Sequence, residues 1–187
     1  MPRRKRKRKI RRKAGGRVDL PASKIQLCIF KSVKLSSPMA EKYDVVGFGA
    51  LNWDDNRQVS EILLPGRETS GNVLDGSPGG SAANTIVGLS RLGIDTAFAG
   101  TVGNDETGAE LIRNLVDEDV KPLVNVDSGH SGNCLILIDS EGERTIYVFA
   151  EVNDTISIDE VSAETLDIIR NAEYFFSSSF ACQDHYD

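Results

Sequence analysis

Short apolar runs alternate along the chain with segments whose apolar residues recur at helical spacing. The β-branched run in Tyr43–Ala50 (YDVVGFGA) predicts a buried strand. Helices are predicted over Ala82–Leu92 and in DETGAELIRNLVDEDV, 105–120, and strands over Asp95–Gly103 and in KPLVNV, 121–126. Strands that alternate with helices are typical of a doubly wound, mostly parallel α/β sheet.

Two further segments predict strands outside that sheet. The polar stretch after the first strand contains short alternating pieces near Val59–Leu64 and Thr69–Leu74, which favour a small β-excursion over a helix. Farther along, Cys134–Ile138 and Thr145–Phe149 are apolar runs joined by a turn with the sequence SEGE, the pattern of a β-hairpin.

The last part of the sequence predicts one more helix and one more strand. IDEVSAETLDIIRNA, 158–172, is amphipathic, and Ser157 or Asp159 could cap it. EYFFSSSF, 173–180, predicts a fourth central strand, which needs a neighbour on each side and helices on both faces. The sequence stops shortly after this strand, which would leave an apolar edge of the sheet open, so we expect the sheet to be C-terminally truncated.

Charge divides the chain into a basic leader, 1–38, and an acidic body, 39–187. Residues 1–37 hold 14 of the 22 Lys and Arg but a single acid, whereas the remainder holds 27 acids. The leader lacks a packing pattern and should be disordered in isolation. The first predicted strand begins only four residues after Met39. The leader is therefore interpreted as an upstream extension or as the result of a wrongly chosen start codon. The alternatives are a solvated tail and a nucleic-acid arm, which we disfavour because the first 29 residues have no aromatic for base stacking.

Cysteine and hydropathy patterns favour the cytoplasm. Cys28, Cys134 and Cys182 form no CxxC pair, so neither a disulfide framework nor a zinc site is indicated. The sequence has no apolar run of 18 residues that could span a membrane. His130 and His185 have no partner at metal or triad spacing and are interpreted as surface residues.

Several familiar motifs are incomplete. GFGALN, 47–52, lacks the third glycine of the dinucleotide fingerprint and leads into a polar segment instead of a helix. No GK[ST] phosphate loop occurs, and Ser177–Ser179 lack the GxSxG elbow. The polar cluster Asn52, Asp54 and Asp55 suits a polyhydroxylated ligand, although a solvated Asx turn explains it as well.

The segment PGGSAANTIVGLSRLG, 78–93, becomes a specific signal only in combination with the motifs on either side of it. GGSAAN before a helix, then Gly93, TVGNDETG at 101–108 and N-x-D at 52–54 together resemble the N-terminal half of the PfkB/ribokinase family of sugar and nucleoside kinases. The resemblance covers about Tyr43–Phe180. It implies a ribokinase-like α/β fold in which the two β-excursions form a small lid that often mediates dimerisation. The chain departs from the family pattern at Ile86, where a small residue is usual, and at Ser81, where ribokinases commonly carry Lys.

The resemblance also implies a reaction, the transfer of the ATP γ-phosphoryl group to a hydroxyl of a sugar or nucleoside. It implies that the acceptor is bound by five residues: Asn52, Asp54, Gly79, Gly80 and Asn84. The family's N-x-x-E and G-x-G-D motifs, which serve ATP, Mg²⁺ and the catalytic base, do not occur in the sequence. We therefore expect an acceptor-binding half with no catalytic residue. The alternative is a non-catalytic module for sugar binding or dimerisation.

Overall fold

The structure is a computed structural model that describes residues 28–31 and 41–178. These residues form two sheets, three α-helices and two short 3₁₀ turns. The strands are β1 (Cys28–Lys31), β2 (Val45–Phe48), β3 (Asn52–Val59), β4 (Gly71–Val73), β5 (Ser77–Gly79), β6 (Thr96–Gly103), β7 (Val120–Asp127), β8 (Gly132–Ile138), β9 (Arg144–Phe149) and β10 (Tyr174–Ser177). The helices are α1 (Ser81–Arg91), α2 (Glu106–Asp117) and α3 (Ala163–Asn171).

The main sheet has the strand order β1-β10-β2-β6-β7. Strands β10, β2, β6 and β7 run parallel, and β1 pairs antiparallel with β10. Strand β10 therefore has a neighbour on each side, and one of the two, β1, comes from the leader, where the sequence predicted no strand. The mostly parallel α/β sheet expected from the sequence is confirmed.

Helices cover both faces of this sheet. Helices α1 and α2 pack on the face that carries Phe98 and Val102, whereas α3 places Ile168 against Val46 on the other face. Successive residues of β2 point to opposite faces of the sheet: Val46 packs against α3, and Gly47 faces α1. A Cβ atom on Gly47 would collide with the Ile86 side chain, so this large residue of α1 fills the space above a glycine.

The second sheet is mixed and has the order β4-β3-β8-β9, with β5 also paired to β3. Strands β3 and β8 are parallel, and the remaining pairs are antiparallel. We call this sheet the lid. Both predicted β-excursions contribute to it, but the piece predicted near Val59–Leu64 is wrong, since no strand continues beyond Val59. The polar stretch at 52–59 instead forms a strand that was not predicted. Its pairing partner β8 lies about 80 residues away, so no local pattern marks it.

The last helix begins later than the sequence predicts. Ile158–Glu160 form a separate 3₁₀ turn, in which the Ser157 hydroxyl accepts a hydrogen bond from the Asp159 amide. The α-helical cap is Ser162, whose Oγ accepts from the Thr165 amide at 3.1 Å. Val161 is extended, at φ −68° and ψ 135°, and ends the 3₁₀ turn before α3 starts.

Most of the basic leader lies outside the described residues. The exception is β1, which occupies the edge of the main sheet beside β10. The interpretation of 1–38 as an upstream extension stays a prediction. The three described helices are each too short and too polar to cross a membrane.

Candidate functional site

A cavity of about 600 Å³ opens between the start of α1, one face of the lid and the segment that follows β9. Its polar end is formed by β3 and α1. The aliphatic part of its wall comes from β8 and β9, which follow β3 in the same sheet. The residues discussed below that line it are Asn52, Asp54, Gly80, Ser81, Asn84, Cys134, Ile136, Arg144, Ile146, Val148, Asn153, Asp154 and Ser178.

The pleat of β3 divides the predicted polar cluster between two faces. Asn52 and Asp54, two residues apart, both line the cavity. Asp55 points to the other face, where it accepts from the Arg57 guanidinium at 2.7 Å. Grouping Asp55 with Asn52 and Asp54 was therefore wrong. The segment 52–59 was not predicted as a strand, in which neighbouring side chains point to opposite faces.

Asn52 is held in place by a second asparagine. Asn153 Nδ2 donates to Asn52 Oδ1 and to the Leu51 carbonyl, both at 2.9 Å, and Asn153 Oδ1 accepts from the Leu51 amide at 3.3 Å. Asn153 is only 7% exposed. A Cβ atom on Gly132 would overlap both amide groups, so this close approach needs glycine. With its oxygen occupied, Asn52 presents its NH₂ group as the free donor.

Asp54 lies in a confined environment. Burial raises the pKa of its carboxyl, and a hydrogen bond from the Cys134 thiol partly opposes that rise. Burial together with the Asp54 charge raises the pKa of Cys134 to about 11, so the thiol stays protonated and remains a donor. A Cβ atom on Gly79 would lie 2.5 Å from Asp54 Oδ2. Gly79 does not line the cavity, and its role is to leave room for this carboxylate.

Helix α1 starts at the cavity without a side-chain cap. Its N-cap is Gly80 at φ 115°, a conformation that favours glycine, and a Cβ atom there would overlap the Ala50 carbonyl oxygen. The first amides of α1 therefore stay available to a ligand. Asn84 lies one turn farther, and its amide group has no hydrogen-bond partner among the described residues.

The polar end of the cavity can recognise several hydroxyl groups at once. The Asp54 carboxylate accepts hydrogen bonds, the Asn52 NH₂ group donates them, and the Asn84 amide does both. An aliphatic wall on the adjoining strands is supplied by Ile136, Ile146 and Val148. This combination of a few converging polar groups and an apolar wall is typical of a small-molecule site.

The remaining candidates do not join the cavity. His130 is 83% exposed, as predicted, but it does have a partner, since its Nδ1 lies 3.7 Å from Asp105 Oδ2. Asp105 caps α2 by accepting from the Gly108 amide and also binds the Ser131 amide and hydroxyl. This cluster fixes a helix end and a loop. His185 lies outside the described residues.

The cavity residues that were not predicted as site residues include Asn153, Cys134, Arg144 and Ser178. Asn153 begins the tripeptide NDT, which on its own matches only a glycosylation sequon, and its contact with Asn52 spans 101 positions. Cys134 lies opposite Asp54 in the β3–β8 register, a pairing that was invisible while β3 was unrecognised. The missing signal in each case is a contact between distant parts of the chain.

The parallel α/β sheet, with a mixed lid over a polar cavity, defines a ribokinase-like protein. The chain belongs to the pfkB family of carbohydrate kinases, whose family model matches residues 43–186. The resemblance drawn from the sequence motifs is thereby confirmed.

Three known proteins illustrate the relationship. An uncharacterised sugar kinase of Archaeoglobus fulgidus is 40% identical over 102 residues, which are 54% of this chain and 40% of that protein. The ATP-dependent ribose-1-phosphate kinase of Halopiger xanaduensis is 29% identical over 137 residues, 72% of this chain and 45% of the relative. The structure of Arabidopsis thaliana ribokinase complexed with ribose and ATP shares the fold, with a TM-score of 0.60, 24% identity and coverage of 72% and 44%. The chain thus spans less than half of each.

Proposed function

We propose that this chain forms the acceptor-binding part of an enzyme that transfers the γ-phosphoryl group of ATP to a hydroxyl of a sugar or nucleoside. The observation that carries the proposal is the convergence of Asn52, Asp54, Gly80 and Asn84 on one cavity. Family membership and a relative named as an ATP-dependent kinase support the reaction class.

Each residue has a distinct task in this proposal. The Asp54 carboxylate accepts hydrogen bonds from acceptor hydroxyls, and Asn52 donates to a neighbouring oxygen in the orientation fixed by Asn153. Gly80 lets the backbone approach the ligand, and the exposed amides of α1 donate to it. Asn84 completes the polar end. Together these contacts select and orient a hydroxyl for transfer.

We do not place the family's ATP and Mg²⁺ on the described residues. They contain no group of three or more His, Cys, Asp or Glu side chains that could hold a metal ion. The N-x-x-E and G-x-G-D motifs likewise do not occur in the 187 residues. We assign no residue of this chain to these groups, and we expect the 187 residues alone to bind no ATP and to phosphorylate no sugar.

Calorimetric titration of the purified chain with sugars and nucleosides, with and without ATP, tests the proposal. We expect one or more of these compounds to bind in the absence of ATP. Asp54→Asn should weaken that binding by about tenfold or more, since it loses a hydrogen bond to a charged group. Asp55→Asn, on the opposite face of β3, is the matched control and should bind as the wild type does. Equal affinities for both variants, or no binding by any compound, would contradict an acceptor site here.

We further propose that the lid mediates a homodimer. Strand β9 lies at the edge of the lid, and its residues Ile146, Tyr147, Val148 and Phe149 are all about half exposed. Ile146 and Val148 line the cavity, whereas Tyr147 and Phe149 lie on the opposite face. An exposed apolar edge strand favours pairing with another chain.

A further inference from the structure

The outer edge of β10 is covered by a strand from the leader. Strand β1 pairs antiparallel with β10 along all four of its residues, from Cys28 opposite Ser177 to Lys31 opposite Tyr174. The other described pairs of the main sheet are all parallel. Strand β1 therefore joins the sheet in an orientation that the alternating strands and helices do not use.

Strand β10 is a strand whose edge needs a cover, because its side chains belong to the core on both faces. Phe176 lies in the core cluster that α1 covers. Phe175 points to the opposite face and packs against Phe48, with ring centroids 6.3 Å apart. A strand that is apolar on both faces and has unpaired N–H and C=O groups along one edge is a template for pairing with another chain. Without β1, β10 would present such an edge.

The backbone determines which amides of β10 turn toward β1. The Tyr174 amide donates to the Asp44 carbonyl at 2.9 Å, on the side of β2. Successive amides of a strand point in opposite directions, so the amides of Phe175 and Ser177 face β1. Protection of these two amides from solvent therefore depends on β1.

The same register assigns the amides of β1. Cys28 and Phe30 lie opposite the two β10 residues whose amides face β1, and they form the hydrogen-bonded pairs of this antiparallel ladder. Their own amides therefore point at β10. The amides of Ile29 and Lys31, at the alternate positions, point away from it.

We propose that β10 carries a strand-binding edge whose occupant is this chain's own segment Cys28–Lys31, and that this segment prevents β10 from pairing with a second copy of the chain. Charge favours the leader as the occupant. Residues 1–37 hold 14 Lys and Arg and a single acid, whereas the remainder holds 27 acids, so the body attracts the leader electrostatically. The proposal is independent of the proposed function, because no ligand takes part in it.

A proline scan of β1 in the full chain tests the pairing, with amide hydrogen exchange of β10 as the measurement. Cys28→Pro and Phe30→Pro each remove an N–H that points at β10. Exchange at Phe175 and Ser177 should become about tenfold faster, the scale of one lost hydrogen bond. The Tyr174 amide, which is bonded on the side of β2, should exchange at the wild-type rate.

Ile29→Pro and Lys31→Pro are the matched controls. Their amides point away from β10, where the edge of a sheet tolerates proline, so the amides of Phe175 and Ser177 should keep their wild-type protection. An effect that alternates between neighbouring positions of β1 cannot arise from a general loss of stability. Unprotected amides at Phe175 and Ser177 in the wild type, or an equal effect of all four prolines, would overturn the pairing.

Sedimentation velocity tests whether β1 prevents self-association. The measurement uses Tyr147→Lys as the background, because a charge on the lid edge opposes pairing through the lid. Adding Phe30→Pro to this background should produce larger species, whereas adding Ile29→Pro should not. If Phe30→Pro frees the amides of β10 and the protein still sediments as the background does, the claim that β1 prevents self-association is wrong.

Discussion

Asp54 and Asp105 are two aspartates whose surroundings shift the pKa in opposite directions. Burial raises the pKa of Asp54, and the single hydrogen bond from Cys134 only partly compensates. Burial also disfavours the charged form of Asp105, but hydrogen bonds from Ser131 and Gly108 outweigh it and lower the pKa. The protein gives the Asp54 carboxylate a single hydrogen bond, from Cys134, whereas Ser131 and Gly108 together donate several to the Asp105 carboxylate. This contrast is expected if Asp54 awaits a ligand and Asp105 holds the fold.

The two shifts predict opposite effects on stability. Because the folded-state pKa of Asp54 is raised, its contribution to stability is present at acid pH and is lost as the pH rises through the folded-state value. Asp54→Asn should therefore leave the melting temperature at pH 7 unchanged or higher. The lowered pKa of Asp105 contributes stability at neutral pH that is lost as the pH falls through the folded-state value, and Asp105→Ala should cost about 1 kcal/mol as a lost helix cap.

Thermal unfolding of the two variants and the wild type between pH 3 and pH 7 measures both effects. Acceptor binding should also depend on the ionisation of Asp54. Its affinity should therefore fall on acidification, at a pH above the pKa of an ordinary aspartate. An Asp54→Asn protein that is destabilised as much as Asp105→Ala at pH 7 would show that Asp54 has a structural role instead.

At the scale of elements, the start of α1 is the feature that the cavity depends on most. Gly80 combines a positive φ with a site where a Cβ atom would overlap the Ala50 carbonyl. Gly80→Ala should therefore cost about 1–3 kcal/mol, from backbone strain alone. Gly88→Ala in the same helix is the matched control, since open space surrounds Gly88. It should stabilise the protein by about 0.5–1 kcal/mol through helix propensity.

Chemical denaturation of both alanine variants checks this prediction, and acceptor titration shows whether Gly80→Ala also weakens binding. Equal stability of the two variants would mean that the turn before α1 tolerates a side chain, and the close approach described here would be wrong.

Elements were predictable where their signal is local. The apolar run of β2 and the helical spacing of α1 gave correct types at nearly correct bounds. Strand β3 was not predicted, because the polar sequence of Asn52–Val59 is typical of a turn. The segment is a strand because it pairs with β8 and β5, and no local pattern indicates that pairing. Helix α3 was misplaced at its start because Ser157, Asp159 and Ser162 are all acceptable caps, and only tertiary packing chooses among them.

At the scale of the whole molecule, the exposed edge of the lid predicts self-association. Sedimentation velocity at micromolar concentration should show a dimer for the wild type. Tyr147→Lys should shift it to a monomer, because a charge on an edge strand opposes pairing. Lys is placed on the face away from the cavity, so acceptor binding reports whether the variant is folded. A wild-type chain that sediments as a monomer would contradict the dimer.

The motifs at 52–54, 79–84 and 101–108 were sufficient to predict the fold and the five candidate acceptor residues. The structure brings Asn52, Asp54, Gly80 and Asn84 to one cavity and places Gly79 beneath the Asp54 carboxylate. The orienting contact of Asn153 and the position of Arg144 could not be predicted, because each depends on strands that meet only after the chain has folded. Local spacing predicted the candidate residues, and tertiary contacts determine how their side chains are oriented.

The central claim, that the α1–β3 cavity binds a hydroxylated acceptor, is tested most directly by mapping amide chemical shifts of the isotopically labelled chain during titration with the tightest-binding sugar or nucleoside. The predicted result is that the amides of Asn52, Asp54, Gly80 and Asn84 shift together and saturate at one affinity. Shifts confined to other surfaces, or a saturating ligand that leaves these four amides unmoved, would contradict the claim.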